Sequence, residues 1–132
     1  MRQLSDESKA FYIAVYEEVQ KIPAGKVTSY GHIAKLIYRP QNSRQVGQCL
    51  KYLPREAIEG NELSQEFNVS NVPWWRVISS SGIISPRDRT DGVRLQKQKL
   101  EEEAIVVTDQ NRVSLSEYGW FPATDFDESD DD

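Results

Sequence analysis

The sequence predicts a mainly α domain with small β-hairpins, of winged-helix-like helix-turn-helix architecture. Three observations predict it. Val46, Cys49, Leu50 and Leu53 recur at i, i+3, i+4 and i+7, the stripe of a one-sided helix, which leaves Arg44, Gln45, Gln48 and Lys51 on the opposite face. A second short helical pattern precedes it across the break Tyr38-Arg39-Pro40-Gln41-Asn42, giving two helices joined by a tight turn. Two β-branched stretches with turn signals follow further along, at 77–85 and 104–115, and read as hairpins, the second a candidate wing.

Taken in order, Ser5 caps a first helix that opens with Asp6 and Glu7 and carries Phe11, Val15 and Val19 along one face. Ile22-Pro23-Ala24-Gly25 ends it. Ser29 caps the second helix, with Ile33, Leu36 and Ile37 inward and the single histidine, His32, expected on the helix surface. The third helix is expected from Ser43 to Leu53. Gly47 in its middle costs about 1 kcal/mol relative to alanine, so something is expected to pack closely there, either a neighbouring helix or a nucleic-acid backbone. Residues 54–72 are polar and weakly periodic, a surface loop with at most one helical turn. Val77–Ser79 and Ile83–Ser85 flank Ser80-Ser81-Gly82 as a first hairpin, followed by the basic loop Pro86-Arg87-Asp88-Arg89. Asp91 is expected to cap a last helix to about Glu103, before a hairpin of Ala104–Val107 with Arg112–Leu115.

A chain of 132 residues suits one domain, expected over residues 1–122, with residues 123–132 an acidic disordered tail. The net charge is −5, but six of the 21 acidic residues lie in the last nine positions. Between Lys21 and Arg55 stand seven basic residues and no acid. Such a one-signed patch on a neutral body suits a phosphate backbone, a solvated face being the ordinary alternative. One cysteine and one histidine permit neither a disulfide nor a Cys/His metal cluster, so no metal or cofactor is expected. No segment approaches the roughly 18 consecutive apolar residues of a membrane span, and the N-terminal stretch is too charged for a signal peptide. An intracellular monomer is expected, nuclear in a eukaryote, with no membrane partner.

The stretch Pro73-Trp74-Trp75-Arg76-Val77-Ile78 places two indoles between a proline and a cation. On its own it reads as a pocket wall for a flat aromatic ligand or as one core tryptophan beside one edge tryptophan.

Three blocks in order, Ile22–Gly31, Ser43-Arg44-Gln45-Val46-Gly47-Gln48 and Pro73–Ile78 with Ser80-Ser81-Gly82, make the chain resemble O6-alkylguanine-DNA alkyltransferases over about residues 10–120. The resemblance implies the alkyltransferase C-terminal type of domain. In that family the third block reads Pro-Cys-His-Arg-Val, with the cysteine as alkyl acceptor and the histidine as its base. Trp74 and Trp75 stand there instead, and an indole is not a comparable nucleophile. Glu103, matching the acid that orients the histidine, is left with nothing to orient. The chain is therefore identified as resembling the alkyltransferase-like proteins, which hold O6-alkylguanine without reacting and pass the site to nucleotide excision repair. Usual members keep the histidine, so Trp75 is a further departure.

The resemblance implies a role for each matching residue. Arg44 is the arginine that enters the base stack, and Tyr30 presses the phosphate beside the flipped base. Pro73, Trp74, the backbone of Val77 and Arg87 line the lesion pocket with Tyr30. Thr28, Ser43, Gln45, Gly47, Gln48 and Lys51 meet DNA across the minor groove. Arg76 is expected to anchor structure. The implied partners are double-stranded DNA carrying O6-alkylguanine and nucleotide excision repair proteins. Two other functions stay open: a sequence-specific helix-turn-helix regulator, and an alkyltransferase using Cys49 or another acceptor.

Overall fold

Ser5 begins the first helix by accepting a hydrogen bond from the Ser8 N–H at 3.1 Å, and α1 runs Asp6–Val19. The computed structural model describes residues 5–85 and 90–126. After α1 come β1 (Thr28–Ser29), α2 (Tyr30–Leu36), α3 (Ser43–Lys51), α4 (Glu62–Glu66), a single 3-10 turn (Trp74–Arg76), β2 (Val77–Ile78), α5 (Thr90–Glu102) and α6 (Leu115–Tyr118). The mainly α class holds, and α1, α2 and α3 pack together as the sequence pattern requires.

Ser29 caps α2 by accepting from the His32 N–H at 3.0 Å. The far end closes as a Schellman motif: Arg39 N–H donates to Ala34 O at 2.8 Å and Tyr38 N–H to Lys35 O at 3.1 Å. That places Tyr38 at φ +61, a left-handed position usually held by glycine. Five residues later α3 starts. It stops at Lys51, two residues short of the expected end, yet Leu53 is still buried with Val46, Cys49 and Leu50.

Two apolar clusters lie on either side of a parallel β1–β2 pair, in which Thr28 meets Val77 and Ser29 meets Ile78. One gathers α1, α2, α3, Phe67, Val72 and Val77; the other gathers Val27, Ile78, Ile84, Leu100, Ile105, Val107 and Val113. Successive strand residues point to opposite faces, which is why Val77 and Ile78 serve different clusters. The segment 54–72 is less peripheral than its polarity suggested. It supplies Phe67 and Val72 to the first core and the turn α4, where Ser64 is fully buried.

The expected hairpins pair differently. Val77 and Ile78 are committed to β1, so the first stretch forms only a tight turn, with Ser79 N–H on Ile83 O and Gly82 N–H on Ser79 O. Its second arm crosses to the second stretch: Ile83 bridges Arg112 in antiparallel sense, Val113 N–H donates to Gly82 O, and Ile84 N–H to Asn111 O. The segment 104–107 takes no part in that pairing. On the far side of β1, Gly119 bridges Val27 in parallel, with Trp120 N–H donating to Val27 O at 2.7 Å.

Further expectations need correction. Asp91 lies inside α5, which begins at Thr90, and so is not its cap. Leu36 and Ile37 are only half-buried, while His32 and Ala34 turn inward. His32 is no surface residue. Its ring nitrogen Nε2 lies 2.7 Å from Pro122 O, an acceptor only, so Nε2 carries the proton, and Phe121 packs edge-on at 5.1 Å. The histidine thereby pins the segment after Gly119 along α2. The acidic residues 127–132 lie outside the described residues.

The crossed pairing depends on Gly82. It sits at φ +85, and an added Cβ would lie 2.6 Å from Val113 O. Gly82→Ala is expected to cost about 2 kcal/mol and lower the thermal midpoint by about 7 °C. A calorimetric midpoint equal to that of the wild type would rule the crossed pairing out.

Candidate nucleic-acid interface

Trp74 and Trp75 are neighbours in sequence that serve opposite cores. Trp74 packs against the cluster built on α1–α3, and Trp75 against the cluster built on α5. The 3-10 turn makes this possible. Trp74 N–H donates to Val72 O at 2.7 Å, Arg76 N–H to Pro73 O at 3.1 Å, and Val77 N–H to Trp74 O. The two rings meet edge to face, 5.9 Å between centroids and 87° between planes. Pro73 and both tryptophans stay half-buried.

The second indole reaches a carboxylate. Glu103 accepts from the Trp75 indole Nε1–H at 3.0 Å, from the Arg76 guanidinium through Nε and Nη2, and from the Gly25 N–H at 3.0 Å. Burial pushes its carboxyl upward, but the Arg76 hydrogen bond, with those from Gly25 and Trp75, outweighs this and holds it below the usual carboxylate range. Glu103 is therefore not idle, as its match to the family suggested. Trp75 supplies a planar N–H donor of its own. Arg76 is an anchor, as expected, and also donates to Ile22 O at 2.7 Å.

The β1–β2 register brings the start of α2 beside this block, since Tyr30 directly follows the strand that pairs with Val77–Ile78. The Tyr30 ring lies against α3 at Gly47, where an added Cβ would sit 3.7 Å away, an ordinary contact. Arg44, Gln45, Gln48 and Lys51 are exposed on the outer face of α3, with Ser43 half-buried at its first turn. The Arg44 side chain makes no hydrogen bond or ion pair among the described residues. No acidic residue lies on α2 or α3, so the face is cationic throughout.

The remaining expected residues fare differently. Thr28 is wholly buried in β1, and its Oγ1 finds no hydrogen-bond partner among the described residues. It cannot touch a phosphate from there. Val77 backs the site: its side chain is buried, its N–H goes to Trp74 O, and its carbonyl accepts from Gln96 Nε2 at 3.1 Å. Arg87, the expected outer wall, lies outside the described residues.

Gln96 is a site residue that sequence reading missed. Fully buried on α5, its amide donates to both Trp75 O and Val77 O, clamping the backbone of the tryptophan block. Its spacing of four before Leu100 is the signal that marked it as inward. Cys49 is removed from chemistry. It is 1% exposed, and burial pushes its thiol up to about 12. Among the described residues no group of three or more His, Cys, Asp or Glu side chains is placed to hold a metal ion, and no helix is long and apolar enough to cross a membrane.

Residues 10–105 match the family model described as the DNA-binding domain of 6-O-methylguanine DNA methyltransferase. The chain is 40% identical over 116 residues to alkyltransferase-like protein 1 of Schizosaccharomyces pombe, covering 85% of this chain and 95% of that one. It is 35% identical over 115 residues to the DNA base-flipping protein of Escherichia coli, covering 87% and 78%. The fold superposes with a TM-score of 0.70 on the crystal structure of S. pombe Atl1 in complex with damaged DNA containing O6-carboxymethylguanine, at 38% identity over 92% of this chain and all of that one. Mycobacterium tuberculosis OGT in complex with DNA matches with a TM-score of 0.57 at 28% identity, this chain spanning about half (51%) of it. By the extent of these matches, the chain belongs to the alkyltransferase-like proteins of the 6-O-methylguanine DNA methyltransferase DNA-binding-domain family.

Proposed function

We propose that the protein binds duplex DNA carrying O6-alkylguanine, turns the damaged base out of the stack, and holds it without transferring the alkyl group. The observation that carries this reading is the half-buried Trp74, packed on the core whose helix α3 turns a cationic face outward, in the block where the resembling enzymes carry their acceptor cysteine. An intrahelical base is unreachable, and extrusion costs a few kcal/mol, least where alkylation has weakened the pair. Arg44, exposed and without a hydrogen-bond or ion-pair partner among the described residues, is available to occupy the vacated place. Tyr30 presses the neighbouring phosphate. Trp74 and Pro73 offer the alkyl group an apolar surface, and Arg87 closes the pocket by stacking on the base or donating to its edge. Ser43, Gln45, Gln48 and Lys51 follow the backbone in the minor groove.

No group in this arrangement accepts an alkyl carbon. Transfer needs a thiolate with a base beside it; Trp74 and Trp75 offer neither, and the one thiol is buried and held protonated. The product is a marked site, which the protein signals to nucleotide excision repair, acting as an intracellular monomer where genomic DNA is kept.

Titration of one duplex with and without O6-methylguanine tests the reading, with preference for the lesion expected. Equal affinity for both, with preference instead for one operator sequence, would favour a regulator. Arg44→Ala is expected to weaken lesion binding by more than about tenfold, whereas Lys51→Ala weakens lesion and undamaged duplex alike and lowers the salt slope by about one. Mass spectrometry after incubation with alkylated DNA is expected to show no added alkyl group on the wild-type chain. Trp74→Cys is also expected to stay unalkylated on the timescale of an enzyme, because Trp75 has no acceptor nitrogen and its one N–H is held by Glu103. Rapid alkylation of that variant would overturn this assignment.

A further inference from the structure

Trp75 is half-buried and held by several contacts to the protein. Its indole N–H donates to Glu103, and its carbonyl accepts from Gln96 at 3.1 Å. Lys99 Nζ stands 4.7 Å from the ring centroid and the Arg76 guanidinium 5.4 Å, both in cation–π range. The remaining edge contact is Trp74, perpendicular to it. A side chain whose only polar atom is spent on an internal carboxylate has none left for a base. Its ring nonetheless stands edge to face against the neighbouring indole, the one that a flipped base would meet.

We infer that Trp75 is a positioning residue for lesion discrimination, resting on the lesion-binding function proposed above: its hydrogen bond to Glu103 holds the Trp74 ring as a preformed apolar wall for the O6-alkyl group. The wall gains contact energy only if the ring stays in one orientation when the base arrives. Without that restraint, part of the contact energy is lost to ordering Trp74 on binding. The restraint comes from the α5 side of the molecule, through Gln96, Lys99 and Glu103, while Trp74 rests on the α1–α3 side. Trp75 thus ties the wall to the second core. Affinity for undamaged duplex, which is held by the outer face of α3, does not pass through this contact.

The measurement is the ratio of dissociation constants for undamaged duplex and the same duplex with one O6-methylguanine. Trp75→Phe keeps an aromatic ring and removes the N–H donor. The ratio is expected to fall about fivefold while undamaged-duplex affinity is unchanged, the scale of one hydrogen bond. Trp75→His restores a planar N–H donor and is expected to return the ratio to within about twofold of wild type. Ile105→Val, in the same cluster but leaving the Trp75 N–H and the Glu103 carboxylate in place, serves as a stability control and is expected to keep the full ratio despite a lower thermal midpoint. An unchanged ratio in Trp75→Phe overturns the inference. So does an equal fall in Ile105→Val, which would make the effect one of stability alone. A histidine variant as weak as the phenylalanine one overturns the hydrogen-bond step. If the wild-type chain shows no preference for the lesion, the proposed function fails first, and this role with it.

Discussion

The site depends on the Glu103 carboxylate. It gathers the Gly25 N–H, the Trp75 indole N–H and the Arg76 guanidinium at one point just past the end of α5, and Arg76 reaches on to Ile22 O. Three stretches far apart in the chain, the turn after α1, the tryptophan block and the end of α5, are thereby fixed to each other. Arg76 and Glu103 side chains are only 15% and 14% exposed, so each needs the other: removing one would strand the partner's charge in a poorly hydrated place. The value of such a pair lies less in net stability than in allowing one arrangement of the segments it joins.

That joint sits where two apolar cores meet. The sheet between them is only two residues deep, too short to define a relative placement by its own hydrogen bonds. Alternation along Val77-Ile78, repeated in Trp74 and Trp75, gives each core a hold on the same short segment. The cationic face of α3 has no part in this seam. Its charged side chains project away from Val46, Cys49 and Leu50, so the contacts to a phosphate backbone proposed above would be separable from the packing of the tryptophan block.

Local signals in the sequence were reliable where a single side chain controls its own backbone. Ser5 and Ser29 cap as expected, and the stripe of α3 is buried to the residue. Pairing between distant segments was not legible, because Val77-Ile78 has the same β-branched character whether its partner is six residues away or at Thr28-Ser29. The family motif suggested the right neighbours for the tryptophan block and the wrong state for Glu103. A carboxylate selected for an imidazole N–H accepts an indole N–H equally well, and composition does not reveal that substitution. His32 misled by its polarity. Its ring is half apolar, and one hydrogen bond to Pro122 O is enough to let it be buried.

Gly47 illustrates how the two levels bear on each other. Glycine inside a helix is destabilising by about 1 kcal/mol against alanine, and a clash with neighbouring protein would be a sufficient reason for it. Gly82 and Gly119 have that reason, with backbone carbonyls 2.6 and 2.4 Å from a hypothetical Cβ. Gly47 does not. A methyl there would lie at ordinary contact distance from the Tyr30 ring, and α3 would be the more stable for it. What the methyl would remove is space beside Tyr30, on a helix that faces outward with a cationic surface. Internal packing therefore leaves the glycine unexplained, whereas the DNA binding proposed above accounts for it, since a phosphate backbone approaching this helix would need the space a methyl takes.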